Sequence, residues 1–184
     1  MNKLSFLLQY VFKPRTVGAV LPSSKYLAGR MVSGIDFDNA SCIVEYGAGT
    51  GVFTEKILQK RSPDTLVILF EMNDAFCRDL NEKYGNESNL LVVNESAQNV
   101  GEYLQKCGVE FVDYVISGLP FASLHQDVSN NILAETKKWL KPSGEFITFQ
   151  YTLLKMDLLS KFFDKIEIER EFRNVPPAYV LRCR

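Results

Sequence analysis

The sequence predicts an α/β fold: a mostly parallel seven-stranded sheet with an antiparallel C-terminal hairpin, and helices ahead of it at the N-terminus. Three observations carry this. Short apolar, β-branched runs alternate with helix-period segments along most of the chain. The first of these runs enters three glycines at alternating positions, Gly47, Gly49 and Gly51, and a helical pattern leaves them. The last two runs, 166–173 and 179–182, are joined only by Asn174-Val-Pro-Pro177, which suits antiparallel neighbours because a parallel pair needs a longer crossover. With 184 residues, 46% hydrophobic and 23% charged, the chain has material for one core. It reads as a single domain, 1–184, with an N-terminal helical segment (1–33) and a ligand-binding core (41–184).

Residues 2–13 open the chain as an amphipathic helix. Leu4, Leu7, Leu8 and Val11 share one face, Ser5, Gln9 and Lys13 the opposite one, and Phe6, Tyr10 and Phe12 widen the apolar sector. Lys3, Lys13 and Arg15 flank it with positive charge and no acid intervenes, the composition of a helix lying on an anionic membrane surface. The alternative is a helix packed on its own domain or on a partner. Pro14 ends this helix, Gly18 leaves the backbone free, and Ser23 or Ser24 can cap a second helix over 25–32. The connecting loop could close over a ligand or simply join two helices. Beyond it, strands are expected at 42–44, 65–70, 90–93, 112–116 and 145–151. Helices are expected from 52 and over 74–83, 100–107, 128–140 and 153–163, with Lys141-Pro-Ser-Gly144 stopping the fourth.

Composition narrows the partners. Net charge is −1, so there is no general attraction to nucleic acid and no stable nucleic-acid complex is expected. Cys42, Cys77, Cys107 and Cys183 form no Cys-x-x-Cys pair and, with the single His125, no metal spacing. They read as reduced thiols of a cytoplasmic protein, and no metal is expected. No apolar run reaches the roughly 20 residues that span a bilayer.

The chemistry concentrates where the strands end, because open α/β sheets bind ligands outside their carboxyl ends. Gly-x-Gly-x-Gly differs from the dinucleotide fingerprint Gly-x-Gly-x-x-Gly, and no Lys-Ser/Thr makes it a triphosphate loop. Glu45 precedes the first glycine, and Glu71 ends the second strand about 20 residues past the glycines, the offset at which an acid grips ribose hydroxyls. The set of Glu45, Gly47, Ala48, Gly49, Gly51 and Glu71 resembles the S-adenosylmethionine site of class I methyltransferases. On that reading Met72 lies against the adenine ring. Ser96, beside Ala97, reaches the adenine edge or bonds its own backbone. Ser117, Gly118, Leu119 and Pro120, after the fourth strand, face the methyl group, with pre-proline carbonyls for a substrate amine and Phe121 as a wall.

Longer segments carry a closer resemblance. Pro14-Arg-Thr-Val-Gly-Ala-Val-Leu-Pro-Ser-Ser24, Val44-Glu-Tyr-Gly-Ala-Gly-Thr-Gly51, Ser117-Gly-Leu-Pro120, Phe149-Gln-Tyr151 and Asn174-Val-Pro-Pro-Ala178 resemble bacterial phospholipid N-methyltransferases, nearly end to end. The resemblance implies a Rossmann-like class I methyltransferase fold, S-adenosylmethionine as donor and S-adenosylhomocysteine as product. It further implies methylation of phosphatidylethanolamine toward phosphatidylcholine, and association of residues 2–15 with the inner face of the membrane. The chain is more distantly similar to ribosomal RNA adenine dimethyltransferases, which carry Asn-Leu-Pro-Tyr where this chain has Gly118-Leu-Pro-Phe121. Losing the Asn amide removes the group expected to hold an adenine amine.

The implied reaction is in-line attack of a neutral amine on a sulfonium methyl, in which the protein mainly orients the partners and excludes water. Tyr26, His125 and Tyr151 are candidates to accept or relay the amine proton, and Arg15 is a candidate for the lipid phosphate. Two other readings stand beside the lipid enzyme: a methyltransferase for RNA adenine or a small soluble molecule, and a cofactor-binding protein without catalysis.

Overall fold

The computed structural model describes residues 24–153 and 156–184. The expectations placed on residues 2–13, on Pro14, Arg15 and Gly18, and on Ser23 as a cap lie outside the described residues. In chain order the elements are α1 (Lys25–Met31), β1 (Cys42–Tyr46), α2 (Val52–Leu58), β2 (Leu66–Phe70), α3 (Asp74–Tyr84) and β3 (Leu90–Val93). A 3₁₀ turn (Ala97–Asn99), α4 (Val100–Lys106), β4 (Val112–Ser117), α5 (Gln126–Trp139) and β5 (Leu140–Gln150) follow. The chain closes with α6 (Met156–Leu159), β6 (Ile166–Glu171) and β7 (Ala178–Cys183).

The seven strands run in the order β3-β2-β1-β4-β5-β7-β6. The first five pair in parallel. β7 lies antiparallel between β5 and β6. The expected fold class is therefore the observed one. Both faces of the sheet are covered, which is why β1 and β2 read as near-continuous apolar runs. Val44, Tyr46, Phe70 and Phe146 pack toward Leu104 of α4 and Leu133 of α5. Ile43, Leu69, Ile116 and Ile147 pack toward α1, α2 and α3 through Leu27, Ile57 and Leu80. Ser24 caps α1, its Oγ accepting from Leu27 N at 3.2 Å, and Leu27, Ala28 and Met31 are fully buried.

Two elements differ from expectation. β5 begins at Leu140 rather than 145, because Val112 pairs with Leu140 and Tyr114 with Glu145, so residues 141–144 swing out of the ladder. Gly144 permits this: a Cβ there would meet Asp113 O at 2.7 Å. The helix expected over 153–163 shortens to the single turn of α6, since Phe163 leaves it to stack on Phe146, centroids 5.4 Å apart. The four cysteines are free, and burial pushes the Cys42 and Cys183 thiols up to about 12, so they behave as core residues. No helix among the described residues is long and apolar enough to cross a membrane.

One buried ion pair ties the C-terminal strands to α1. Arg182 Nη1 meets Glu145 Oε2 at 2.9 Å, while Arg182 Nη2 lies 3.5 Å from both Arg30 O and Ser33 Oγ. Arg184 also donates to Glu145 Oε1, so losing Arg182 leaves the buried carboxylate one cationic partner, whereas losing Glu145 leaves Arg182 only the more distant Glu169 as an acidic partner among the described residues. Arg182→Ala should therefore lower stability by about 1–3 kcal/mol in urea titrations, less than a fully stranded buried charge costs. The double variant Glu145→Gln/Arg182→Met should lie closer to wild type.

Candidate active site

The strand order reverses beside β1: the chain runs outward through β2 and β3, then returns to place β4 on β1's other side. The crevice of such a sheet opens outside the carboxyl ends at that reversal. The glycine loop sits there. Gly47, Gly49 and Gly51 adopt φ of +69°, +55° and +79°, left-handed backbone that side-chain-bearing residues rarely take. Their duties differ. A Cβ on Gly47 would lie 3.0 Å from Leu119 Cδ2, and one on Gly51 would lie 3.0 Å from Leu80 Cδ2 and 3.1 Å from Tyr84 Cε2. A Cβ on Gly49 would meet nothing nearer than Gly47 O at 4.0 Å. The outer glycines let the loop pack on the protein, and the middle one, among the described residues, has no close neighbour.

Two acids bracket the loop. Glu71, just past β2, accepts from Gly49 N at 2.8 Å through Oε2 and from Asn73 N at 2.8 Å through Oε1. Glu45 is fully buried in β1, and its Oε2 accepts from Thr54 Oγ1 at 2.7 Å. Its Oε1 has no partner among the described residues. Burial pushes the Glu45 carboxyl up to about 8; the Thr54 hydrogen bonds oppose this and the nearby Glu71 charge adds to it. Met72 is 72% exposed beside Glu71. Ser96 takes the capping option: its Oγ accepts from Gln98 N at 3.3 Å, and Ala97 behind it is buried.

The turn after β4 is pressed against the glycine loop. Gly118 N donates to Tyr46 O at 2.8 Å, and a Cβ on Gly118 would lie 2.9 Å from Gly47 O, so any side chain would wedge the turns apart. Ser117 is buried; its Oγ accepts from Leu119 N at 3.2 Å and its carbonyl accepts from Thr148 Oγ1 at 3.3 Å. Leu119 O accepts from Phe121 N, and Pro120 O from Ser123 N and Leu124 N. Among the described residues, that leaves Gly118 O without a backbone donor. Phe121 is not a pocket wall: it turns inward, 2% exposed, and packs edge-on against Phe146. A proline-ended strand reversing direction carries its next aromatic into the core.

The structure separates the three proton-acceptor candidates. His125 stands at the start of α5 with its side chain 76% exposed and Nδ1 3.4 Å from Asp127 Oδ2. Tyr26 lies on α1, its ring 4.7 Å from the Arg173 guanidinium. Tyr151 packs edge-on against Phe149, which meets Phe53 of α2 in the same way. Burial raises the Tyr151 phenol pKa, with a hydrogen bond to Asn174 opposing, which makes it a poor proton acceptor. Sequence reasoning gave Gln150 no role. It ends β5 two residues past Thr148, the register partner of Ser117, and both its amide atoms are buried without a partner among the described residues. A polar residue closing the run Phe-Ile-Thr-Phe at a strand's carboxyl end was the available signal.

The model of the methyltransferase small domain matches residues 23–174. The chain belongs to that family. It is an S-adenosylmethionine-dependent methyltransferase. It is 35% identical over 187 aligned positions, 100% of this chain and 97% of the relative, to an ornithine lipid N-methyltransferase of Singulisphaera acidiphila. Among solved structures it resembles a precorrin-6y C5,15-methyltransferase of Geobacter metallireducens GS-15, with TM-score 0.66, 16% identity, and 86% and 87% of the two chains covered. It also resembles the N-methyltransferase NodS of Bradyrhizobium japonicum WM9, with TM-score 0.65, 12% identity, and 87% and 93% covered. One of these is named for carbon and one for nitrogen methylation, so the shared fold does not choose the acceptor.

The site fits the cofactor on its own geometry. Among the described residues nothing crowds Gly49, which leaves room for a ligand, and the adjacent Glu71 carboxylate could meet a ribose diol. The orphaned Glu45 Oε1 suits a cationic amino group. Gly49→Val should weaken S-adenosylmethionine binding at least tenfold by calorimetry, about 1.4 kcal/mol. It should cost less stability than Gly51→Val, which strikes Leu80 and Tyr84. The raised Glu45 carboxyl also predicts a pH effect. Between the ordinary carboxyl range and about 8, the ligand-free folded chain keeps a proton that the unfolded chain has released. That stabilisation is complete below the ordinary range and is lost as pH rises through about 8. Glu45→Gln should flatten the corresponding decline in urea midpoint.

Proposed function

We propose that this methyltransferase N-methylates the amine of a membrane lipid head group, working peripherally at the membrane surface. One observation carries the reading: the similarity to the ornithine lipid N-methyltransferase runs the length of both chains. The turn after β4 agrees with it. Gly118 stands where an adenine-recognising enzyme would carry an amide, and Gly118 O offers an acceptor to a flexible amine.

When bound, S-adenosylmethionine supplies a methyl on a sulfonium, already a good leaving group. The chain's own residues then orient and shield. Glu71 grips the ribose hydroxyls, and Gly49 clears the approach. Gly118 O accepts one N–H of the acceptor amine, aiming the nitrogen lone pair away from the turn. Gln150, buried and without a partner among the described residues, supplies a carboxamide that holds a second polar group of the head group. The amine proton must leave before attack, and Tyr26 is the candidate to pass it outward.

The test is turnover with anionic vesicles containing either ornithine lipid or phosphatidylethanolamine, read by mass analysis of the extracted lipid. Gain of methyl masses on one lipid supports the reading and identifies the head group. No lipid product, despite calorimetrically confirmed cofactor binding, contradicts it. Gln150→Ala should raise the KM for lipid amine at least tenfold while leaving cofactor affinity unchanged.

A further inference from the structure

The β6–β7 turn lies at the active-site edge of the sheet. β5 runs parallel to β4, and its last residue, Gln150, pairs with Tyr179 at the start of β7. Residues 172–177 therefore project from the carboxyl ends of the parallel strands. With strands about 4.8 Å apart, the turn lies two to three spacings, roughly 10–15 Å, from the end of β4.

That edge collects the exposed apolar side chains. Phe172 and Val175 at the turn are 67% and 78% exposed. Tyr26, Met72 and Leu153 are the other large apolar residues exposed there among the described residues. Of the two remaining large apolar residues exposed among the described residues, Phe111 precedes β4 at the opposite edge and Ile168 lies mid-strand in β6. Cations sit among the exposed rings. The Arg170 guanidinium lies 4.7 Å from the Phe172 ring and 5.1 Å from the Tyr179 ring. Arg173 lies over Tyr26, and Lys25 Nζ is 5.5 Å from the same ring.

The turn is braced beneath its tip. Asn174, 3% exposed, donates to Pro176 O at 2.7 Å and accepts from Ser24 N at 3.3 Å. Glu171 is buried and grips Arg173 through both oxygens, with the hydrogen bonds from Arg173 holding its carboxyl down to about 2. That carboxylate is spent below the surface, so the tip presents apolar groups and guanidinium faces. Aromatic and aliphatic groups interleaved with cations match a bilayer interface: rings and methyls enter the head-group region, and cations meet lipid phosphates.

We infer that the β6–β7 turn, with Phe172 and Val175 at its tip and Arg170 and Arg173 at its base, docks the enzyme on an anionic bilayer. The crevice edge then faces the lipid. The inference rests on the lipid reading above for its purpose, but not for its test. A turn carried by two strands of the sheet sets orientation as well as attachment, because it moves with the strands that end at the crevice.

The experiment is flotation of the full chain with phosphatidylglycerol vesicles and with phosphatidylcholine vesicles, none containing an amine-bearing methyl acceptor. Wild type should float with the first and much less with the second. Phe172→Ser/Val175→Ser should lose at least tenfold in binding while keeping cofactor affinity and melting temperature, since both positions are exposed. Phe172→Trp should show a blue shift of its added emission on contact with the anionic vesicles. Undiminished flotation of the double variant, or an unshifted emission in the tryptophan variant, would overturn the inference and assign attachment elsewhere. A change of oligomeric state without loss of vesicle binding would overturn it in favour of self-association. If wild type floats through the turn yet methylates no lipid, the lipid reading fails and the docking surface stands.

Discussion

Three turns from adjacent strands are drawn together at the carboxyl edge, and the rest of the site depends on that closeness. Gly47 N bonds Phe70 O at 2.7 Å, and Gly118 N bonds Tyr46 O at 2.8 Å. Gly49 N bonds the Glu71 carboxylate at 2.8 Å. Each bond ties the turn after one strand to the end of a neighbouring strand or the acid just past it. The missing Cβ atoms of Gly47 and Gly118 make this possible, since either would press on the other turn. The crevice is therefore an outcome of backbone packing, set before any ligand arrives.

The buried acid in β1 shows what that organisation costs. An isolated carboxylate oxygen inside a sheet is unfavourable, and the protein meets the cost by leaving Glu45 largely protonated. A cationic group placed beside it would shift that balance toward the ionised form. Glu71 is placed differently: it is partly exposed, accepts two backbone hydrogen bonds and sits at the rim of the loop. The two acids thus suit different tasks, one beneath the cradle and one at its rim.

The strand-to-turn grammar of this chain was legible because each feature is local. The apolar runs of β1 to β4, the glycine spacing and the short connection that holds Asn174–Pro177 all state their structure within a few residues, although β6 ends at Glu171, two residues earlier than expected. The features that were not legible depend on distant partners. Nothing near Phe121 says that Phe146 waits to pack against it, and nothing near Phe163 says that it will leave a helix for the same neighbour. The swing of residues 141–144 is fixed by pairing with β4, so a Pro-Ser-Gly stretch read as a stop became part of β5. Ser96 had two plausible duties, and its own backbone was the nearer partner. Gln150 entered only as part of Phe149-Gln-Tyr151, with no role of its own, because a single polar residue in a strand gains meaning only when its surroundings are known to be dry.

The methyl donor's nucleoside should lie at the Gly49–Glu71 junction. A crystal structure of the protein with S-adenosylhomocysteine would show this. The ribose diol should sit on the Glu71 carboxylate, with backbone of the glycine loop within van der Waals contact and the sulfur turned toward the Ser117–Pro120 turn. A nucleoside bound elsewhere on the sheet, with Glu71 still closed on Gly49 N, would contradict this placement.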